Sequence, residues 1–539
     1  MKLEAHLVSS LVRVFPAKPP RRAPLPQLRA PRGGRASFQV AFAVPGLDEA
    51  QVACRATAAG GIVTRVRRVG AVPLPHHNTK TAAKHRDGRG VLPGMVPDPL
   101  FDGELHRFAP GEGSAFWVSL TIPLETRPGR HAISIELQPK DGAVQRLRTT
   151  IEVAAVALQP RTGMPMTHWF HVDCLADRYG VAPYDERFWP LCEAYVRNYV
   201  EHGLDCLYVP VFTPPLDGVR KPEVQLLGVT RDGGGWRFDW TRVERWIAMA
   251  RRCGVRTFEW THLFTQWGVE RALRIYDTSS GTPTLLWPVE TGATSDVYRA
   301  FLAAFLPELK RFVDRHRLLE DSFFHVSDEP HGAHLANYRA ARAMLRELAP
   351  WMKVMDALSE IEFGAEGLVD HPIPVIASVP AYRARGIDCW TYYCCWPRGA
   401  FLNRLLDTPL PVIAMHGWLF HATRVQGFLH WGFNYWYRFQ TTELIDPFQV
   451  SDAGGWPGWA HGDTFVVYPG VDGPIDSIRW EIFAEAMQDL ALMRQLGVAP
   501  DAALLKGVKA YDDFPRDEAW IHRARAKLLA GKKARASRA

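Results

Sequence analysis

The chain contains no window of about 18 uninterrupted apolar residues, so no segment is expected to cross a bilayer as a helix. Its eight cysteines (Cys54, Cys174, Cys192, Cys206, Cys253, Cys389, Cys394 and Cys395) include no C-x-x-C pair and no zinc spacing. Buried free thiols are therefore expected, with neither a disulfide framework nor a metal site. The opening MKLEAHLVSSLVRVFPAKPP lacks an apolar core followed by a small-residue cleavage site, which predicts a cytoplasmic protein. No G-x-S-x-G elbow offers a serine nucleophile. Nor does a glycine-rich phosphate loop follow the first strand of the α/β region, which counts against a dinucleotide fold; no cofactor is expected.

A folded basic stripe is also missing. The formal charge of +7 sits at the ends: residues 1 to 40 carry Lys2, Arg13, Lys18, Arg21, Arg22, Arg29, Arg32 and Arg35 against Glu4, and Lys532, Lys533, Arg535 and Arg538 close the chain. The rest sums to 7 − 7 − 4 = −4. Solvated terminal charge, not nucleic-acid binding, is the reading, with the last residues disordered.

With 47% hydrophobic and 22% charged residues over 539 positions, the composition is that of a globular chain of two to four domains. From Ala36 to Ala155, segments such as SFQVAFAV, AFWVSLTIP and HAISIELQ alternate apolar and polar residues between glycine and proline punctuation, predicting an N-terminal β-sandwich over 1–157. Within it, residues 73–104 read as a long ordered loop, either simple packing or a lid over a neighbouring site. From Gly163 onward, strands alternate with amphipathic helices. Strand candidates are MTHWFHVD, LDCLYVPVF, VRTFEWTHLF, DSFFHVSDEP, MKVMDA, PVIAS, DCWTYYC and GFLHWGFNYW, giving eight in roughly 280 residues. That predicts an α/β fold with a (β/α)8 barrel over 158–497, followed by a helical extension with a basic tail over 498–539.

In such a barrel the chemistry lies at the C-terminal strand ends. The fourth strand ends in Asp328 and Glu329, stopped by Pro330. Neighbours on a strand point to opposite faces, so both carboxylates reach one substrate only where the strand bends into its loop. In a water-poor pocket their proton affinities should split, leaving one as a proton donor near neutral pH, as glycoside cleavage requires. A salt-bridged strand end or helix cap is the plain structural alternative. Tyr392, Tyr393 and Trp396 after the seventh strand, with Trp431, Asn434 and Trp436 at the eighth, suit the apolar face and polar rim of a pyranose. His168 and His171 stand three apart on extended chain, on opposite faces, so they do not converge on one ion; one of them is expected to touch substrate. Glu259, His262 and Asp356 are hydrogen-bonding candidates in the pocket or supports behind it.

In order, HWFHVDCLADRYGV, HVSDEP, DCWTYYCCWP, GFLHWGFNYW, DTFVVYPG and PIDSIRWE resemble the catalytic domain of glycoside hydrolase family 123 and its uncharacterised relatives, and RASFQVAF, LPGMVPDPL and FWVSLTIP resemble the β-sandwich preceding it. The resemblance implies an exo-acting, retaining hydrolase of terminal β-N-acetylgalactosamine whose nucleophile is the substrate's own 2-acetamido group. It implies Glu329 as general acid/base and Asp328 as the residue orienting the acetamide, with Tyr392 or Tyr393 on the acetamide carbonyl and Trp431 and Trp436 walling the sugar. The substrate is expected to be an oligosaccharide or small glycoside, with no membrane or nucleic-acid partner. A glycosidase with a direct carboxylate nucleophile and a non-catalytic carbohydrate-binding protein are the alternatives.

Overall fold

The computed structural model describes residues 3–161, 163–216, 221–280 and 282–531. The expected disordered basic end at 532–539 lies outside the described residues.

Alternation organises the first 157 residues into two five-stranded sheets. Gly129–Pro139 buries Ile133, Ile135 and Leu137 and turns the residues between them outward. The first sheet runs, edge to edge, His6–Ser9, Arg35–Ala43, Gly113–Thr121, Val63–Leu74, Gly94–Phe101; the second runs Leu28–Arg32, Gln145–Ala157, Gly129–Pro139, Ala50–Ala58, His106–Phe108. Phe38, Val40 and Phe42 of one sheet and Ile133, Ile135 and Ile151 of the other share one apolar core. Arg35–Ala43 is buried along both faces because its reverse side meets the second half of the chain, where Ser37 Oγ donates to Glu485.

Two expectations for this region are corrected. Gly94–Phe101 is a strand paired with Val63–Leu74, so the long loop spans only about 75–93. Arg13 is not solvated: its buried guanidinium donates to Asp87 at 2.7 Å and to the Thr408 carbonyl at 2.7 Å, since a buried cation requires such partners.

Beyond residue 163 eight short strands follow, seven of them inside the expected apolar runs: β1 (Met166–His168), β2 (Cys206–Val209), β3 (Thr257–Trp260), β4 (Ser322–Phe324), β5 (Met355–Ala357), β6 (His371–Ile373), β7 (Thr391–Tyr392) and β8 (Phe428–His430). The expected single eight-stranded sheet is replaced by two pieces. A curled, all-parallel six-stranded sheet runs β4-β3-β2-β1-β8-β7, and β5 and β6 form a separate parallel pair. Parallel bridges, Phe324 with Val354 and Val375 with Tyr392, link the pair to the sheet's edges, and the Trp390 N–H donates to the Pro372 carbonyl at 3.0 Å. The sixth strand also lies earlier than PVIAS, because Pro374 has no N–H to continue the ladder and the chain turns into the helix Val379–Ala384.

Helices Phe188–Glu201, Thr241–Cys253, Asp296–Arg315 and Leu335–Leu348 fall where the periodicity places them. Thr241–Cys253, for example, buries Val243, Trp246, Ile247 and Ala250 and stops at Gly254 in the left-handed conformation. The helix Ile478–Gln495 is buried nearly all round, packing between the two halves; in the C-terminal extension, Arg525 pairs with its Glu485 and Asp489, both at 2.8 Å. No helix among the described residues is long and apolar enough to cross a membrane.

Candidate active site

Past the last ladder residue of β4 the chain bends at Asp328 and Glu329, and Glu329 takes a left-handed backbone at φ 45°. A non-glycine residue pays about 1–2 kcal/mol for that conformation, so it persists only where surrounding contacts fix it. Those contacts are present: the Glu329 N–H donates to the Ala357 carbonyl at 3.0 Å, and the Asp328 carbonyl accepts from the Trp267 N–H at 2.9 Å. The bend turns two neighbouring carboxylates toward the same space, a cavity of about 210 Å³ at the C-terminal ends of the strands.

Each carboxylate has a neutral donor and, among the described residues, no cation in contact. Gln266 Nε2 donates to Asp328 Oδ2 at 2.7 Å, and the Tyr392 hydroxyl donates to Glu329 Oε1 at 2.7 Å. Burial first, and then the adjacent Glu329 charge, push the Asp328 carboxyl well above the ordinary carboxylate range. Asp328 therefore holds its proton to higher pH than an isolated aspartate does.

The remaining wall is aromatic, with a third acid opposite. Trp169, Trp267, Trp431 and Trp459 present rings to the cavity, as does Tyr392. Asp463 accepts from Trp431 Nε1 at 2.8 Å through Oδ2, while its Oδ1 makes no hydrogen bond among the described residues. Burial pushes the Asp463 carboxyl up to about 6. The loop carrying Trp459 and Asp463 is held by the N-terminal region: His461 N–H donates to Asn78 Oδ1 at 2.7 Å, Asn78 Nδ2 donates to Asp407 at 2.7 Å, and His76 stacks on Trp456 at 4.3 Å. Residues 76–79 thus brace this wall from behind without lining the cavity.

Beneath the floor is a buried polar layer. His325 lies between Asp356 Oδ1 at 3.0 Å and Glu259 Oε1 at 2.8 Å; burial alone would lower its affinity for a proton, but these two carboxylates raise it to about 9. Glu259 also accepts from Thr167 Oγ1 at 2.6 Å and from Trp169 Nε1 at 2.7 Å, which fixes one cavity indole. His262 stacks on His325 at 4.0 Å and meets the Tyr208 hydroxyl at 3.1 Å.

Of the residues singled out in the sequence, Asp328, Glu329, Tyr392 and Trp431 come together on the cavity wall. Glu259, His262 and Asp356 form the layer below it. His168 faces away, packing on Phe428 and Trp480 with Nε2 against Arg404 Nη1, because it is the strand neighbour of the cavity-facing Trp169. His171 lies behind Trp431, its Nε2 2.9 Å from the Trp431 carbonyl, and Asn434 clamps the His171 backbone through both amide atoms. Tyr393 turns into the core to meet His416 Nε2 at 2.6 Å, as strand alternation from Tyr392 requires. Trp436 is core, with its indole on the Val467 carbonyl, and Trp396 is half exposed outside the cavity.

Gln266, Trp267, Trp169, Trp459, Asp463, Cys394 and Cys395 line the cavity without having been assigned a role. Trp169 carried a usable signal, being out of phase with the buried His168; Asp463 opens the DTFVVYPG motif, just before the strand Val467–Pro469, but was given no role of its own.

All eight cysteines are free, five of them buried. Two groups of described residues bring metal-type donors within 4.8 Å of one another: His262, His325 and Asp356, and His202, Asp476 and Glu481. In the first, both ring nitrogens of His325 are committed to carboxylates; in the second, Arg67 supplies the cation. Each therefore reads as a charge network.

The family model described as the glycoside hydrolase 123 catalytic domain matches residues 169–496. No curated protein sequence matches the chain. Among solved structures, a family 123 glycoside hydrolase from Clostridium perfringens, described in terms of glycolipid glycan hydrolysis, overlays 98% of this chain and 97% of its own at a TM-score of 0.73 and 13% identity. A family 39 glycoside hydrolase from Bacteroides cellulosilyticus overlays far more loosely, at a TM-score of 0.34 and 10% identity over 86% of this chain and 82% of its own.

Proposed function

This chain belongs to glycoside hydrolase family 123, and from that premise we propose that its cavity hydrolyses a terminal 2-acetamido sugar, β-linked N-acetylgalactosamine foremost, with retention and with the sugar's own acetamide as nucleophile. The observation that carries the proposal is the bend at Asp328–Glu329, which aims two neighbouring carboxyls, cation-free among the described residues, into one aromatic cavity.

The acetamido carbonyl oxygen attacks the anomeric carbon as the glycosidic C1–O bond breaks. Glu329 gives its proton to the leaving oxygen, and the Asp328 carboxylate accepts a hydrogen bond from the acetamide N–H, stabilising the oxazolinium that forms. Before substrate arrives, the retained proton is held by Asp328. A bound acetamide N–H favours the ionised form of Asp328 and so assigns that proton to Glu329, where the leaving group needs it. Water then attacks C1, Glu329 takes its proton, and the acetamide is restored. Tyr392 keeps Glu329 aimed and is the tyrosine available to the acetamide carbonyl. Trp431 and Trp169 cover the apolar sugar face, and Asp463 accepts from a ring hydroxyl opposite.

We read the six-stranded sheet, the β5–β6 pair and the two bridges as one closed (β/α)8 ring, with domains at 1–157, 158–497 and 498–539. Release of chromophore from aryl β-glycosides tests the proposal: the N-acetylgalactosaminide or N-acetylglucosaminide is cleaved and the matching 2-hydroxy sugars are not. Equal cleavage of the 2-hydroxy sugars would instead favour a direct carboxylate nucleophile.

A further inference from the structure

A second cleft of about 220 Å³ adjoins the first, and Gln266 and Trp267 belong to the walls of both. Trp267 has its own left-handed backbone at φ 62° and an indole 40% exposed, so it stands as a partition between the two spaces. Among the described residues, the wall of the second cleft contains three cationic side chains, Lys221, Arg271 and Arg274, and no carboxylate. Lys221 is already committed, its ammonium 3.3 Å from Asp173 with both groups buried. Arg271 and Arg274 are different: among the described residues neither guanidinium has an ion pair or a hydrogen bond, although Arg274 is half buried. Elsewhere in the chain, buried arginines such as Arg67, Arg479 and Arg525 meet carboxylates directly. A partly desolvated guanidinium with no partner on a cleft wall is a site for an external anion.

We infer that this cleft receives the residue on the leaving-group side of the scissile bond, and that Arg271 and Arg274 select one bearing an anionic group, a carboxylate or a sulfate ester. The leaving-group assignment rests on the glycosidase reading above. Gln266 would couple the two spaces, since it lines both and also holds Asp328.

Titration calorimetry on the whole protein tests this with methyl β-glucuronide, methyl β-galactoside 6-sulfate and neutral methyl β-glucoside. At least one anionic glycoside binds about tenfold or more tightly than the neutral one. Added salt weakens that preference, and it collapses in Arg274→Gln. The stronger of the two anions identifies carboxylate or sulfate as the group recognised. Because arginine-to-glutamine leaves the core untouched, thermal unfolding should match wild type; Arg271→Gln provides a second variant if it does not. Equal affinity for all three glycosides, or a preference unchanged in both variants, overturns the inference. Binding needs no turnover, so failure of the aryl-glycoside panel alone would fell the glycosidase reading and leave the anion preference to be judged by calorimetry.

Discussion

Two acidic pairs in this molecule, one facing the cavity and one buried between the two halves of the chain, are treated in opposite ways. At the cavity, Asp328 and Glu329 meet only neutral donors among the described residues, and burial pushes the Asp328 carboxyl up. Between the two halves of the chain, Asp476 and Glu481 flank Arg67, which donates to Asp476 and reaches Glu481 at 2.6 Å. There burial also acts upward on Glu481, yet the Arg67 and Arg35 charges outweigh it and hold the carboxyl well below the ordinary range. Desolvation is common to both, so the partner decides the outcome. A buried carboxylate given an arginine is a fastening; one denied any cation keeps a proton available for chemistry.

The comparison is broken most severely by exchanging the two behaviours. Glu329→Gln should lower kcat/KM on an alkyl glycoside by about 10²–10⁴-fold while thermal unfolding stays near wild type; an unchanged rate would remove Glu329 from the chemistry. Arg67→Ala should do the reverse. Two buried carboxylates lose their cation, and stability measured by urea unfolding falls by about 3–5 kcal/mol, with kcat/KM of the folded protein kept.

Smaller effects sharpen the contrast through pH. A raised carboxyl stabilises the fold below its unfolded value and loses that contribution as pH rises through its folded value. Asp328→Asn should therefore gain stability over wild type as pH rises from about 4, the ordinary aspartate range, toward neutral. A lowered carboxyl acts oppositely. Glu481→Gln should be less stable than wild type near neutrality, and the gap should close as pH falls below the ordinary glutamate range. Smallest is Asp463, with its carboxyl near 6. If its ionised form accepts from the sugar, the acid limb of the kcat/KM profile near pH 6 should flatten in Asp463→Asn, read against an aryl glycoside whose departure needs little proton donation.

Legibility in the sequence followed the range of the forces involved. Helices such as Thr241–Cys253 and Asp296–Arg315 were readable as amphipathic stretches between the strands because amphipathic period is local. Seven of the eight apolar runs were readable as strands, but not their breaks. Pro374 stops a ladder whose partners lie elsewhere in the chain, and the six-plus-two division depends on those partners. Asp328 and Glu329 were legible because a proline-stopped acidic pair after FFHV is itself a local sign of a bend. The fate of Tyr392 against Tyr393 follows from alternation once the strand's facing is known. Trp436 and His171 were misplaced because aromatic or imidazole character says nothing of which face is turned inward. The place of Asp463 on the cavity wall and the Asn78 brace behind its loop were not legible, since a motif does not tell which of its side chains faces the cavity and the brace joins segments more than 300 residues apart.

The most direct test of the central claim is the rate of hydrolysis across aryl glycosides whose 2-acetamido group carries zero, one, two or three fluorines. Each fluorine makes the carbonyl oxygen a poorer nucleophile, so neighbouring-group attack aided by Asp328 predicts that kcat/KM falls steeply along the series. A flat series, with full activity on the trifluoroacetamide, would mean that the acetamide takes no part in bond cleavage and would contradict the account of Asp328 and Glu329 given above.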